Sequence, residues 1–143
     1  SYVSLQSALA FHGLGEEPPE VQCLTIRTPE RVETPLGTFR FRQIKRGLFH
    51  GYSQIDIAEG QWAYLAAPEK ALLDLLYLHP HSDTWGYWKS LNLSNLELLS
   101  EDRLRELASE SGSDKLRRAV SKVIPAIRAA KQKQLGSRTL NSK

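Results

Sequence analysis

Apolar positions are densest in one stretch, Leu65-Ala66-Ala67-Pro68-Glu69-Lys70-Ala71-Leu72-Leu73-Asp74-Leu75-Leu76-Tyr77-Leu78-His79-Pro80. Pro68 fits the first turn of a helix, where a missing N–H is tolerated, and Glu69 after it is favoured by the helix dipole. Pro80 ends the segment, because the residue before a proline is pushed out of helical geometry. Between the prolines, Ala71, Leu72, Leu73, Leu75, Leu76 and Leu78 fall on nearly every side. A helix apolar all round is buried, and this one is too short to span a bilayer. The pattern predicts a central core helix.

Upstream the period shortens. Ser4 reads as an N-cap for a helix with Leu5, Ala8, Leu9 and His12 on one face and Gly13 as its stop. His12 there reads as a packed side chain, not a ligand. After the loop Gly15-Glu16-Glu17-Pro18-Pro19, the β-branched run Val21 to Thr28 predicts a strand. Thr34-Pro35-Leu36-Gly37 suits a type I turn into Thr38-Phe39-Arg40-Phe41-Arg42-Gln43-Ile44. That alternation predicts a half-buried strand with Phe39 and Phe41 inward and Arg40 and Arg42 outward. Gly47 to Tyr52 forms a connection. Ile55-Asp56-Ile57 and Trp62 to Ala66 flank Glu59-Gly60 as a hairpin. Strands before helices point to α+β, with an antiparallel or mixed sheet of about four to five strands packed on the central helix.

Downstream of Pro80 the chain reads as helical. Trp85, Tyr87, Trp88 and Leu91 cluster at helix-like spacing and read as a second small core. Ser94-Asn95-Leu96-Glu97 matches a capping box, Ser100 caps a helix through Leu104, Leu107 and Ala108, and Gly112 ends it. Ser113 caps a last helix with Leu116, Ala119, Val120 and Val123 on one stripe and Lys115, Arg118 and Lys122 opposite. Pro125 is expected to kink or restart it, because mid-helix proline costs roughly 3 kcal/mol. Residues 1–135 thus read as one α+β domain, helical from about 81, and residues 136–143 as a flexible tail.

Composition adds three constraints. Cys23 is alone among the 143 residues, so no internal disulfide forms and a reducing compartment is the simpler reading. With no signal peptide or membrane span in view, the cytoplasm is expected. A start at Ser1-Tyr2 and no methionine suggest a processed chain or a piece of a longer one. The net charge of +3 is unevenly spread: from Asp114 on there are nine basic residues and one acidic, before it ten and fifteen. A basic end on an acidic body suggests an acidic partner, nucleic acid or protein.

Catalytic chemistry finds little support. A metal-dependent nuclease needs converging carboxylates; Asp56 and Glu59 flank a hairpin and Glu69-Lys70 opens a helix, at no metal-ligand spacing. Asp74, buried alone, would be costly and should pair, with Lys70 one turn earlier or a backbone donor. His79-Pro80-His81 lacks a third metal ligand, Gly112-Ser113-Asp114 lacks the strand and glycines of a phosphate loop, and Cys23 has no neighbouring histidine. No catalytic residue, metal site or cofactor is assigned. Two basic sets remain as candidates for nucleic-acid or partner binding: Arg40, Arg42, Lys45 and Arg46, and Lys115, Arg117, Arg118, Lys122 and Arg128. Neither shows the interleaved aromatic residues of a single-strand binder, and no helix-turn-helix is evident.

Four stretches in order resemble the C-terminal domain of AbiEi-type antitoxins, from type IV (abortive infection) toxin–antitoxin systems. They are Ser1 to Leu14 (SYVSLQSALAFHGL), Thr34 to Ile44 (TPLGTFRFRQI), Phe49-His50-Gly51-Tyr52, and Ala66 to Tyr77 (AAPEKALLDLLY). The resemblance covers roughly residues 1–80. It implies a bacterial or archaeal transcriptional regulator in phage defence, in which a winged helix precedes this domain and binds operator DNA. The domain itself would assist DNA binding and counter a nucleotidyltransferase-like toxin. If the chain is complete, it departs from that plan in lacking the winged helix. The alternatives are a divergent metal-dependent nuclease, resting on Asp56 or Glu69, and a pure protein-interaction module using Trp85, Tyr87 or Trp88.

Overall fold

The structure, a computed structural model, describes the backbone of residues 1–141 and the side chains of residues 1–137. In chain order the elements are β1 (Tyr2–Val3), α1 (Leu5–Phe11), β2 (Val21–Thr25), β3 (Glu30–Thr34), β4 (Gly37–Gln43), β5 (Tyr52–Ala58), β6 (Gln61–Ala66), α2 (Pro68–Leu78), α3 (Trp85–Ser90), α4 (Glu101–Ser111) and α5 (Asp114–Asn141). The fold is α+β. Six strands form one mixed sheet in the order β3-β4-β2-β1-β6-β5. Strand β1 runs parallel to β6 and β2 parallel to β4, while β1–β2, β3–β4 and β5–β6 are antiparallel. The strands that the sequence pattern does not announce are β1, two residues long, and β3, whose Glu30, Arg31 and Glu33 hide its period.

Helix α2 is the centre of the core, with Pro68 in its first turn and Ala71, Leu72, Leu73 and Leu76 buried. Its charged residues are buried too. Lys70 and Asp74 form an ion pair one helical turn apart, with side chains 0% and 1% exposed. The Tyr2 hydroxyl donates to Asp74 Oδ2 at 2.7 Å, the Ser4 hydroxyl donates to the same oxygen at 2.8 Å, and Lys70 Nζ donates to the Tyr2 oxygen at 3.1 Å. Ser4 does precede α1, but its side chain serves Asp74 instead of capping the helix. Glu69 accepts from the Ser100 backbone N–H at 3.1 Å, tying the start of α2 to the start of α4. Gly51, with φ +79°, lies against the Lys70 stem; a Cβ there would come within 2.7 Å of Lys70 Cγ.

Strand β4 alternates as expected, but with its faces reversed. Arg42 is paired with Leu24 and Arg40 with Gln22, and Leu24 is paired with Tyr2. Paired residues share a face, and Tyr2 bonds α2, so both arginines stand on the helix side. Phe39 and Phe41 lie half-buried on the other face, in register with Val21, Cys23 and Val32. The reversal is tolerated because β4 lies two strands away from β1, where the helix side opens to solvent.

Other local readings meet the structure as follows. Ser94 to Glu97 form no capping box: Leu96–Leu98 is a single 3₁₀ turn, and the Asn95 amide donates to Gly13 O at 2.7 Å from a left-handed backbone (φ 56°). Helix α5 is continuous through Pro125, so the proline does not restart it. Buried Leu116, Ala119 and Val120 before it and Val123, Ile124 and Ile127 around it hold both halves against one body, while Pro125 itself is exposed. The same helix continues past Leu135 to Asn141, where the sequence predicts a tail; residues 142 and 143 of that tail lie outside the described residues. Tyr87, Trp88 and Leu91 pack against the single core, so there is no second one among the described residues.

Removing half of the buried pair leaves an unpaired charge in the core. Asp74→Ala is expected to lower unfolding free energy by roughly 3–5 kcal/mol in urea titrations. Replacing Lys70 and Asp74 together by methionine and leucine should recover most of that loss. A double variant as unstable as the single one would contradict this account.

Candidate nucleic-acid interface

Parts of the two basic sets, far apart in sequence, reach the C-terminal turn of α2 from opposite sides: Arg42, Lys45 and Arg46 from the sheet and Lys115 from α5. From the sheet side, Arg42 opens onto a cavity of about 380 Å³ walled by α1, by Leu75 and His79 at the end of α2, and by α3. Lys45 and Arg46, just past β4, line a neighbouring hollow with Tyr77 and Leu78, and Lys45 Nζ lies 5.7 Å from the Tyr77 ring centre. From the other side, Lys115, Arg118 and Lys122 stand at the spacing of one helical face of α5. Lys115 Nζ donates to His79 O at 2.7 Å and Tyr77 O at 3.4 Å, placing a cation where the dipole of α2 is negative. Arg118 pairs with Asp83 at 3.1 Å, and Lys122 Nζ lies 5.8 Å from the Trp85 ring centre.

Much of the expected binding charge is therefore spent within the molecule. Arg40 pairs with Glu20 at 2.7 Å, which also holds Arg31 at 2.9 Å. Arg117 pairs with Asp114 at 2.7 Å, and Arg128 holds Glu101 at 2.9 Å. Hydrogen bonds from these arginines hold Glu20, Asp83 and Glu101 below the usual carboxylate range. Among the described residues, Arg42, Lys45 and Arg46 have no carboxylate partner, and Lys122 has only the indole. The binding candidates reduce to these four, with Lys115 and Arg118 fastening the segment between α2 and α3 beneath them.

The fold supplies the aromatic residues that neither basic set carries in sequence. His79 and Tyr87 stack at 4.1 Å between centres and 30° between planes, in the wall of the Arg42 cavity. Burial pushes the Tyr87 phenol up to about 12, so it stays a neutral hydrogen-bonding ring. Tyr77 stands beside Lys45 and Trp85 beside Lys122. The aromatic cluster at 85–88 is visible in sequence, but its adjacency to Arg42 depends on a chain reversal after Pro80 that no local period encodes.

The other candidate residues do not gather. Asp56 and Glu59 are exposed on the β5–β6 hairpin, while Glu69 is buried under Ser100. Among the described residues, no three of His, Cys, Asp or Glu stand close enough to hold a metal ion. Cys23 is buried, which pushes its thiol up to about 11. His12 is packed against the sheet, with Nε2 hydrogen-bonded to Ala66 O at 2.8 Å. No described helix is long and apolar enough to cross a membrane. Compared with family models, curated proteins and solved structures, the chain finds no match.

A carboxylate held below its ordinary pKa stabilises the fold above that ordinary value, and the contribution is lost as pH falls through the folded value. For Asp83 and Glu101 the ordinary values are 3.8 and 4.5. Thermal midpoints measured at about pH 7 and about pH 3 should therefore differ less in Arg118→Gln and Arg128→Gln variants than in the unmodified chain. Equal differences in all three would show that these pairs carry no pH-dependent stability.

Proposed function

We propose that this chain is a DNA-phosphate-binding and toxin-countering domain of a type IV antitoxin and transcriptional regulator, working in the cytoplasm and without catalysis. The observation that carries the reading is the convergence of Arg42, Lys45 and Arg46 around the end of α2, with no carboxylate partner for any of them among the described residues. Such a surface neutralises phosphates and releases their counterions whatever the base sequence. Sequence reading would fall to a winged helix, as the resemblance to AbiEi-type antitoxins implies, and a nucleotidyltransferase-like toxin would be the protein partner.

Three of the four stretches that carry the resemblance meet at the buried ion pair: Tyr2 and Ser4 come from the first, Gly51 from the third, Lys70 and Asp74 from the last. Their common role is architectural, which supports reading the likeness as one of fold while the surface basic residues supply binding.

In gel-shift or anisotropy titrations over a salt series, the chain should bind DNA of unrelated sequences with similar affinity. Changing Arg42, Lys45 and Arg46 together to alanine should weaken all of them alike. The slope of log K against log salt should flatten by about 0.9 for each phosphate that the variant no longer neutralises. Arg117→Ala should leave the slope unchanged. Absence of DNA binding at low salt would remove the DNA half of the proposal.

A further inference from the structure

Cations alone explain an affinity for phosphate; they do not explain rings set between them. Arg42 sits on a strand, so its position is fixed by the sheet, and it faces a cavity of about 380 Å³, within the roughly 300–1,000 Å³ of small-ligand sites. Leu75 and Leu91 form apolar parts of its wall, Gln6 and Ser90 polar parts, and the His79–Tyr87 stack an aromatic one. His79 is exposed and Tyr87 half-buried, so the imidazole is the more accessible member of the stack. On the α5 side, Trp85 is 54% exposed beside Lys122. In a duplex the base faces are stacked on each other and only phosphates and groove edges are presented. Rings interleaved with cations favour nucleotides whose base faces are free.

Resting on the phosphate-binding reading above, we propose that this surface takes unpaired nucleotides in preference to duplex. One base lies against His79 and Tyr87 in the cavity, its neighbouring phosphates pair with Arg42 and Lys45, and Trp85 beside Lys122, on the α5 side, offers a separate stacking face. Base stacking supplies affinity without sequence preference, because every base has a π-face. The sites of such binding would be melted or single-stranded stretches beside a duplex.

The test is fluorescence anisotropy of the full chain with labelled oligothymidine and with a duplex of the same length, at one salt concentration. The single strand is expected to bind at least about tenfold more tightly. His79→Ala and Trp85→Ala, both at exposed positions, should each weaken single-strand binding by roughly five- to hundredfold. Duplex binding should stay within about twofold, and circular dichroism should show an unchanged fold. Equal affinity for the two probes, or ring variants that weaken both alike, would overturn this inference while leaving the phosphate-binding reading intact. Failure to bind either probe would overturn both.

Discussion

A lysine and an aspartate, both out of reach of water, sit inside a leucine helix, and this arrangement constrains everything around it. Burial pushes the Asp74 carboxyl up and the Lys70 ammonium down, and their contact with each other opposes both shifts. Three donors converge on Asp74, from Lys70, Tyr2 and Ser4, so the carboxylate has partners for its lone pairs. A buried pair of this kind does little for net stability compared with an apolar replacement; leaving either half alone is what is costly. Its effect is to specify. Only a chain that brings Tyr2 and Ser4 onto α2 satisfies the pair, which fixes where the two-residue strand β1 docks and hence where β2 and β6 lie on either side of it.

From that fixed centre the surface follows by short steps. Strand β2 positions β4, and β4 carries Arg42 to the end of α2. The 79–85 segment, which carries His79 and leads into α3, is held from the far side by Lys115 and Arg118. Several residues that look like surface charge in the sequence are thus fasteners for a loop. The exposed cations that remain stand on or next to regular elements, so their spacing is set by the sheet and not by side-chain freedom.

Helix α2, the β5–β6 hairpin and the Ser100 and Ser113 caps were legible because each is a local signal: two prolines, a tight turn between apolar runs, a hydroxyl before an acidic first turn. The ion pair was legible as well, since a carboxylate at i+4 from a lysine in an apolar helix has few other options. Strand β1 was not, because two residues have no period and pair only through long-range contacts. The orientation of β4 was missed for a related reason: alternation separates two faces but does not say which one the helices cover. Phenylalanine beside arginine invites the inward assignment, yet the arginines face the partly open helix side. Pro125 shows tertiary burial overriding a local penalty. The link between basic and aromatic residues was invisible because it joins β4, α2, α3 and α5 across the chain.

Tied through the buried pair, the N-terminal strand and the core helix should open as one cooperative unit. Native-state hydrogen exchange over a denaturant series measures this opening directly. The amides of Val3 and Leu24 should show the same opening free energy and the same denaturant dependence as those of Leu73 and Leu76, all merging with global unfolding. If Val3 and Leu24 instead exchange through a separate, lower-energy opening while α2 stays protected, the pair does not tie them together, and the account of the fold built on it is wrong.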